Sequence, residues 1–162
     1  MFIREAQQDD IPELAGIIKD VFEEYGFLFH YQTELPDFVG FDSFYRNSSN
    51  SLFVVEHEDV LAGCGALKLE SGEGVITRVY LRKKFRGKGL GKKLVCHLID
   101  TAKSAGASSV VLWTDTRFTV AHRLYTSLGF SPGDRQRRLG DINDTTEIYF
   151  EMNLSSANRN NI

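Results

Sequence analysis

The sequence predicts a mixed α+β fold in which a mostly antiparallel sheet is flanked by helices. Three observations carry this expectation. Strand-like apolar runs follow one another between residues 52 and 81 with no helical pattern among them, and from residue 90 the order changes to helix, strand, helix, strand. Ahead of both, Ile11, Leu14, Ile17, Ile18, Val21 and Phe22 recur at helical spacing.

The elements follow in order. Phe2 to Ala6 starts an edge strand, and Gln8 to Glu13 reads as a helix start, with acids and Pro12 in the first turn. The apolar face of that helix runs to Tyr25. From Gly26 to Asn50 the pattern is irregular and rich in aromatics: Phe27, Phe29, Tyr31, Phe38, Phe41, Phe44 and Tyr45. A short helix is expected over Pro36 to Arg46. The aromatics either fill a core or wall a pocket for an apolar or cationic substrate. Leu52 to Glu56 and Leu61 to Leu69, joined by His57 to Asp59, read as a hairpin, and Gly74 to Leu81 follows the turn at Ser71 to Gly74.

Leu90, Leu94, Val95, Leu98, Ile99 and Ala102 then define a helix that Gly106 ends. Ser109 to Thr114 reads as a buried strand and Val120 to Leu128 as a short helix closed by Gly129. Arg135 to Arg138 reads as a basic loop, and Thr146 to Leu154 as an alternating strand. One domain is expected over residues 1–154, followed by a disordered polar tail at 155–162.

Composition narrows the function classes. Of 162 residues, 42% are hydrophobic and 25% charged, as in ordinary globular domains. No apolar run approaches the roughly 20 residues of a membrane span. The first ten residues carry no apolar signal region, so a cytoplasmic location is expected. A net charge of −3 speaks against a general nucleic-acid binder. Cys64 and Cys96 lie in apolar stretches without metal-ligand spacing, so both read as buried, reduced packing residues and no metal is expected.

The chemistry concentrates where Val79-Tyr80-Leu81 leads through Arg82-Lys83-Lys84-Phe85-Arg86-Gly87-Lys88-Gly89 into the helix starting Leu90-Gly91-Lys92-Lys93. A helix start presents backbone N–H groups that lack partners, and its dipole favours an anion. Gly87, Gly89 and Gly91 allow close approach, while Arg86, Lys88, Lys92 and Lys93 add positive charge. A pyrophosphate suits such a loop. It is not a P-loop, because Gly91 is followed by Lys92-Lys93 with no hydroxyl for magnesium. Nor is it a dinucleotide fingerprint, because the spacing is Gly-x-Gly-x-Gly behind antiparallel strands.

Arg86-Gly87-Lys88-Gly89-Leu90-Gly91 resembles the Arg/Gln-x-x-Gly-x-Gly/Ala loop of the GNAT superfamily of N-acetyltransferases. Ala121-His122-Arg123-Leu124-Tyr125-Thr126-Ser127-Leu128-Gly129-Phe130 is similar to that family's second signature, Ala-x-x-Leu-Tyr-x-x-x-Gly-Phe. The resemblance covers roughly residues 2 to 154. It implies a three-layer fold whose sheet is splayed between strands 4 and 5, and acetyl transfer from acetyl-CoA to an amine. Val79, Tyr80 and Leu81 would pair with the pantetheine arm and the acetyl carbonyl, where a backbone N–H can stabilise an oxyanion. Arg86, Gly87, Lys88, Gly89, Leu90, Gly91 and Lys92 would hold the pyrophosphate.

Tyr125 matches the tyrosine that protonates the departing thiolate; a phenol pKa of about 10 is close to that of an alkyl thiol. The alternative for Tyr125 is packing beside Leu124 and Leu128. Phe118 stands where the family often has a coenzyme-contacting Asn, and Trp113 where the branch acting on protein N-termini has a basic Glu. Asp115, Glu73 or water is left as the base that deprotonates the amine, with turn and loop roles as the alternatives for the two acids. His57, His97 and His122 read as surface residues, and His30 sits in the variable region that shapes the acceptor site. The implied partner is a small-molecule amine, with neither nucleic acid nor membrane, and homodimers are frequent in the family. A non-catalytic acyl-CoA sensing domain is the alternative function, against which the retention of Tyr125 counts.

Overall fold

Two tight turns shape the first half of the sheet. At Glu58 and Asp59 the backbone is left-handed, with φ of 53° and 59°, and at Ser71 and Gly72 it is left-handed again, with φ of 51° and 82°. Paired left-handed residues match the twist of an antiparallel hairpin, and they join β2 (Ser51–His57) to β3 (Val60–Glu70) and β3 to β4 (Glu73–Leu81). In this computed structural model, residues 1–155 are described. Of the expected tail, 156–162 lie outside them.

The remaining elements are β1 (Phe2–Glu5), α1 (Ile11–Glu24), α2 (Tyr31–Glu34), α3 (Pro36–Val39), α4 (Leu90–Ser104), β5 (Ser109–Asp115), α5 (Thr119–Ser127), β6 (Ser131–Arg138) and β7 (Thr146–Asn153). The strands form one seven-stranded sheet in the order β1-β2-β3-β4-β5-β7-β6. This is the mixed α+β fold expected, with a parallel pair at β4 and β5. That pair is in register from Glu73–Ser109 to Ile76–Leu112, and its register ends there although β4 runs on to Leu81 and β5 to Asp115. Among the described residues no helix is long and apolar enough to cross a membrane.

The chain divides into two compact units. The first, Met1–Ala66 with Arg78–Val95, buries one face of α1 through Leu14, Ile17 and Ile18, together with Leu35, Phe38, Phe41, Tyr45 and Val54. Arg4 anchors its edge strand by bonding Asp10 and Glu56. The second, Leu67–Thr77 with the chain from Cys96, buries Leu98, Ala102, Val110, Leu112, Tyr125, Phe130 and Phe150.

Four expectations change. The helix expected over residues 36–46 is broken: α3 stops at Val39, Gly40 interrupts it, and Asp42–Arg46 forms a π-helical turn. Glycine has low helix propensity. The basic loop at Arg135 to Arg138 is part of β6, paired antiparallel with β7 and irregular between Pro132 and Gln136. Its side chains are largely exposed, so no apolar alternation announces it. Cys64 is buried, but Cys96 is only half-buried. Of the histidines read as surface residues, His57, His97 and His122 are half-buried. His122 packs on Phe150 and places Nε2 2.9 Å from the Asp115 carbonyl oxygen.

Candidate active site

The loop between β4 and α4 belongs to the first unit, as do the last residues of β4 and the first turn of α4. After Leu81 the chain makes a 3-10 turn, Lys83–Phe85, pinned by the buried Phe85. It then passes Gly87 and Gly89, whose φ values of 74° and 79° are left-handed. A Cβ added at either glycine would meet nothing within 4 Å, so it is backbone conformation and not crowding within the protein that calls for glycine. Open space therefore adjoins the loop where Leu90, Gly91 and Lys92 begin α4 with N–H groups that no helical carbonyl can reach. Lys88, Lys92 and Lys93 are exposed beside it. Such an arrangement fits a diphosphate.

Arg86 is used differently from its lysine neighbours. Its guanidinium donates to both Glu24 oxygens, at 2.8 and 2.9 Å, and to the Leu81 carbonyl at 3.0 and 2.9 Å. The side chain thus ties the loop to α1 and to the end of β4. Val79, Tyr80 and Leu81 are half-buried. The Tyr80 ring lies 6.5 Å from that of Phe22, which also contacts Phe27 and Phe29. The aromatics of residues 26–50 are accordingly divided: Phe38, Phe41 and Tyr45 are core, Phe27 and Phe29 are half-buried, and Tyr31 is exposed. His30 is exposed.

Sequence reasoning missed the residues beneath β4. Arg78 has a left-handed φ of 56° inside the strand. Its Nε and Nη2 donate to the Asp37 carboxylate at 3.1 and 2.7 Å, and the Tyr45 hydroxyl donates to the same carboxylate. Burial would raise the Asp37 carboxyl, but the Arg78 guanidinium and the Tyr45 hydroxyl overcome it and hold the pKa below the usual range. Burial and the Asp37 charge both raise the Tyr45 phenol. The only signal in the sequence was a charged residue within the strand run Val75 to Leu81.

Tyr125 lies in the second unit, on α5. It is buried, with its ring 5.8 Å from Phe130 and 5.9 Å from Phe150. Asp115, at the end of β5, accepts from the backbone N–H of Arg117 at 2.8 Å and from its guanidinium at 2.9 and 2.7 Å. Its carboxylate shapes the turn into α5, the turn role that the sequence allows it. Glu73 is exposed at the opposite end of β4 from Leu81 and accepts from the Ser109 hydroxyl at 3.0 Å. The Trp113 ring lies 5.1 Å from that of Tyr149 in a tilted contact, with the guanidinium of Arg137 4.3 Å and that of Arg135 5.4 Å from it. The position is thus built around cation–π contacts. Phe118, the residue before α5, is half-buried.

Comparison with known proteins bears on this geometry. Residues 14–130 match the model of the acetyltransferase (GNAT) family. The chain is 32% identical over 124 residues to the amino-acid acetyltransferase of Neisseria meningitidis, a match that takes in 75% of the chain and only 26% of that enzyme. It is 31% identical over 134 residues to the N-acetyltransferase YjgM of Escherichia coli, covering 79% of the chain and 80% of that protein. The structure of yncA from Salmonella typhimurium, solved with acetyl-CoA, superposes with a TM-score of 0.73 at 21% identity, over 95% of this chain and 94% of that one. The family match spans most of the sequence, glycine loop and Tyr125 included, and the fold agrees with it, so the chain belongs to the GNAT family of acetyltransferases.

Proposed function

We propose that residues 1–154 act as one domain that moves the acetyl group of acetyl-CoA directly to a primary amine of a small-molecule acceptor. The observation that carries this reading is the loop from β4 to α4. Its two left-handed glycines open onto free space at a helix start, with exposed lysines alongside. The backbone N–H groups of Arg86 to Lys92, with Lys88 and Lys92, would hold the diphosphate, and the Arg86 side chain would brace the loop. Val79, Tyr80 and Leu81 would present backbone groups to the pantetheine arm and the thioester carbonyl. An N–H aimed at that oxygen stabilises the negative charge that develops as the amine attacks.

Tyr125 is assigned as the acid that gives its phenolic proton to the departing sulfur. Asp115 and Glu73 already serve Arg117 and Ser109, so a water molecule is the proposed acceptor of the amine proton. Several curated relatives carry names of enzymes acting on small molecules, such as the amino-acid acetyltransferase of Neisseria meningitidis, which supports a small acceptor. The test mixes the protein with acetyl-CoA and panels of amino acids, polyamines, aminoglycosides and peptides, and follows free thiol. Acceptor-dependent release with a small amine is expected. Coenzyme binding with no release for any acceptor would overturn transfer in favour of a sensing domain. Replacing Tyr125 by Phe is expected to lower turnover about 10²-fold, the lower end for a general acid, at unchanged coenzyme affinity. Unchanged turnover removes Tyr125 from the mechanism.

A further inference from the structure

We propose that the ion pair of the buried Asp37 with the half-buried Arg78 is a positioning device that holds a left-handed kink in β4 and so sets the backbone of Val79 and Tyr80. The inference rests on the acetyl-transfer reading, in which those two residues meet the thioester.

Arg78 carries a Cβ yet has φ of 56° within a strand, and a left-handed backbone is disfavoured for every residue with a side chain except where the surroundings over-determine it. Here they do so at several atoms. The guanidinium grips Asp37 at two points, 2.7 and 3.1 Å, and Asp37 is 3% exposed. The Tyr45 hydroxyl donates to the same carboxylate and fixes it from the other side. The Arg78 carbonyl accepts from the Cys64 thiol at 3.3 Å. Burial pushes that thiol up to about 12, so it is an S–H donor at neutral pH.

The Tyr80–Leu81 peptide is shaped by an absent side chain. A Cβ on Gly63 would lie 2.1 Å from the Tyr80 carbonyl oxygen and 3.0 Å from the Leu81 Cα. β4 therefore closes onto β3 just beyond the kink, at a distance only glycine permits. Asp37 sits on α3, far from β4 in sequence, and a buried ion pair contributes little to net stability once desolvation is counted. What it does supply is geometry: a two-point guanidinium–carboxylate contact has one orientation. It fixes the direction of the Arg78 side chain, and with it the turn of the backbone into Val79.

This role makes a prediction that a direct role for the Arg78 charge does not. Glycine adopts φ near +56° at no steric cost, whereas alanine does not. In an Asp37→Asn background, which removes the buried charge but keeps an acceptor for Tyr45, Arg78→Ala is expected to lower kcat by up to about 10²-fold, the effect of a small displacement of a positioned group. Coenzyme A affinity should fall by less than kcat, because the diphosphate loop is left intact while the pantetheine contacts of Val79 and Tyr80 shift. Arg78→Gly in that background is expected to restore most of the lost kcat. In 15N-labelled protein the amide resonances of Val79 and Tyr80 should move in the alanine variant and stay near wild type in the glycine variant. Equal impairment of the two, or no impairment and no amide shift in either, overturns the proposal. Should the alanine double variant not fold, the milder Arg78→Lys keeps the charge and loses the two-point grip. It is expected to shift the same amides, and unmoved amides refute the clamp. A wild-type protein that binds coenzyme A yet transfers no acetyl group would sink the functional reading alone, because the amide comparison needs no turnover.

Discussion

At the scale of single residues, Asp37 combines burial with charge. The residue is 3% exposed, and its carboxyl is held below the ordinary range because Arg78 and Tyr45 outweigh the cost of burial. A depressed carboxyl contributes stability that is complete above its unfolded value of about 3.9 and is lost as pH falls through the lower folded value. Replacing Asp37 by Asn leaves the half-buried Arg78 without its counter-charge, and leaving a fully buried charge unpaired typically costs about 3–5 kcal/mol. The Arg78 side chain keeps 23% exposure, so the lower end, about 3 kcal/mol, is expected at pH 7. Denaturant titrations of both proteins from pH 7 to pH 2 should show this gap narrow below about pH 4, the unfolded carboxyl range. A gap independent of pH would mean that Asp37 acts through its shape alone. None of this was readable from a neighbourhood such as Leu35-Pro36-Asp37-Phe38, because the partner lies in a strand 41 residues away.

At the scale of elements, β4 is held to its neighbours by missing side chains. Gly74 admits Ala102, to whose Cβ an added Cβ would come within 2.8 Å, and Gly63 admits the Tyr80 carbonyl. The clash at Gly63 is with backbone and cannot be relieved by turning a side chain. Gly63→Ala is therefore expected to cost about 3 kcal/mol or more, the top of the overpacking range, and to lower kcat together with stability. A thermal melt and a steady-state assay check both, and a wild-type melting temperature would show that β3 and β4 can separate there at little cost. β6 teaches a different lesson. Its sequence, Ser131 to Arg138, has no apolar period, and what makes it a strand is backbone bonding to β7 together with Arg135 lying 3.8 Å over Tyr149. Periodicity reports burial, so an exposed edge strand escapes it.

At the scale of the whole molecule, coenzyme binding should couple to folding. A ligand that binds only the native state adds about 2.7 kcal/mol at a hundredfold excess over its Kd, so coenzyme A should raise the melting temperature of the wild type. Gly89→Glu places a side chain and a negative charge in the open space of the loop, and forces a left-handed backbone on a residue with a Cβ. It is expected to abolish that rise, and calorimetry should show no coenzyme binding; a preserved rise would mean that the diphosphate lies elsewhere. What the sequence by itself determined was everything written in local pattern: the helical face of α1, the turns of the first hairpins, the Arg86–Gly91 loop and the Leu124-Tyr125 signature, and hence the family. These were legible because backbone conformation and periodic burial depend on neighbours in the chain. Only the tertiary structure decided that Arg86 braces against Glu24 instead of standing open, and that Arg78 bends β4 over Asp37. Each depends on a partner brought near by folding, and no local pattern encodes which distant carboxylate a buried guanidinium will meet.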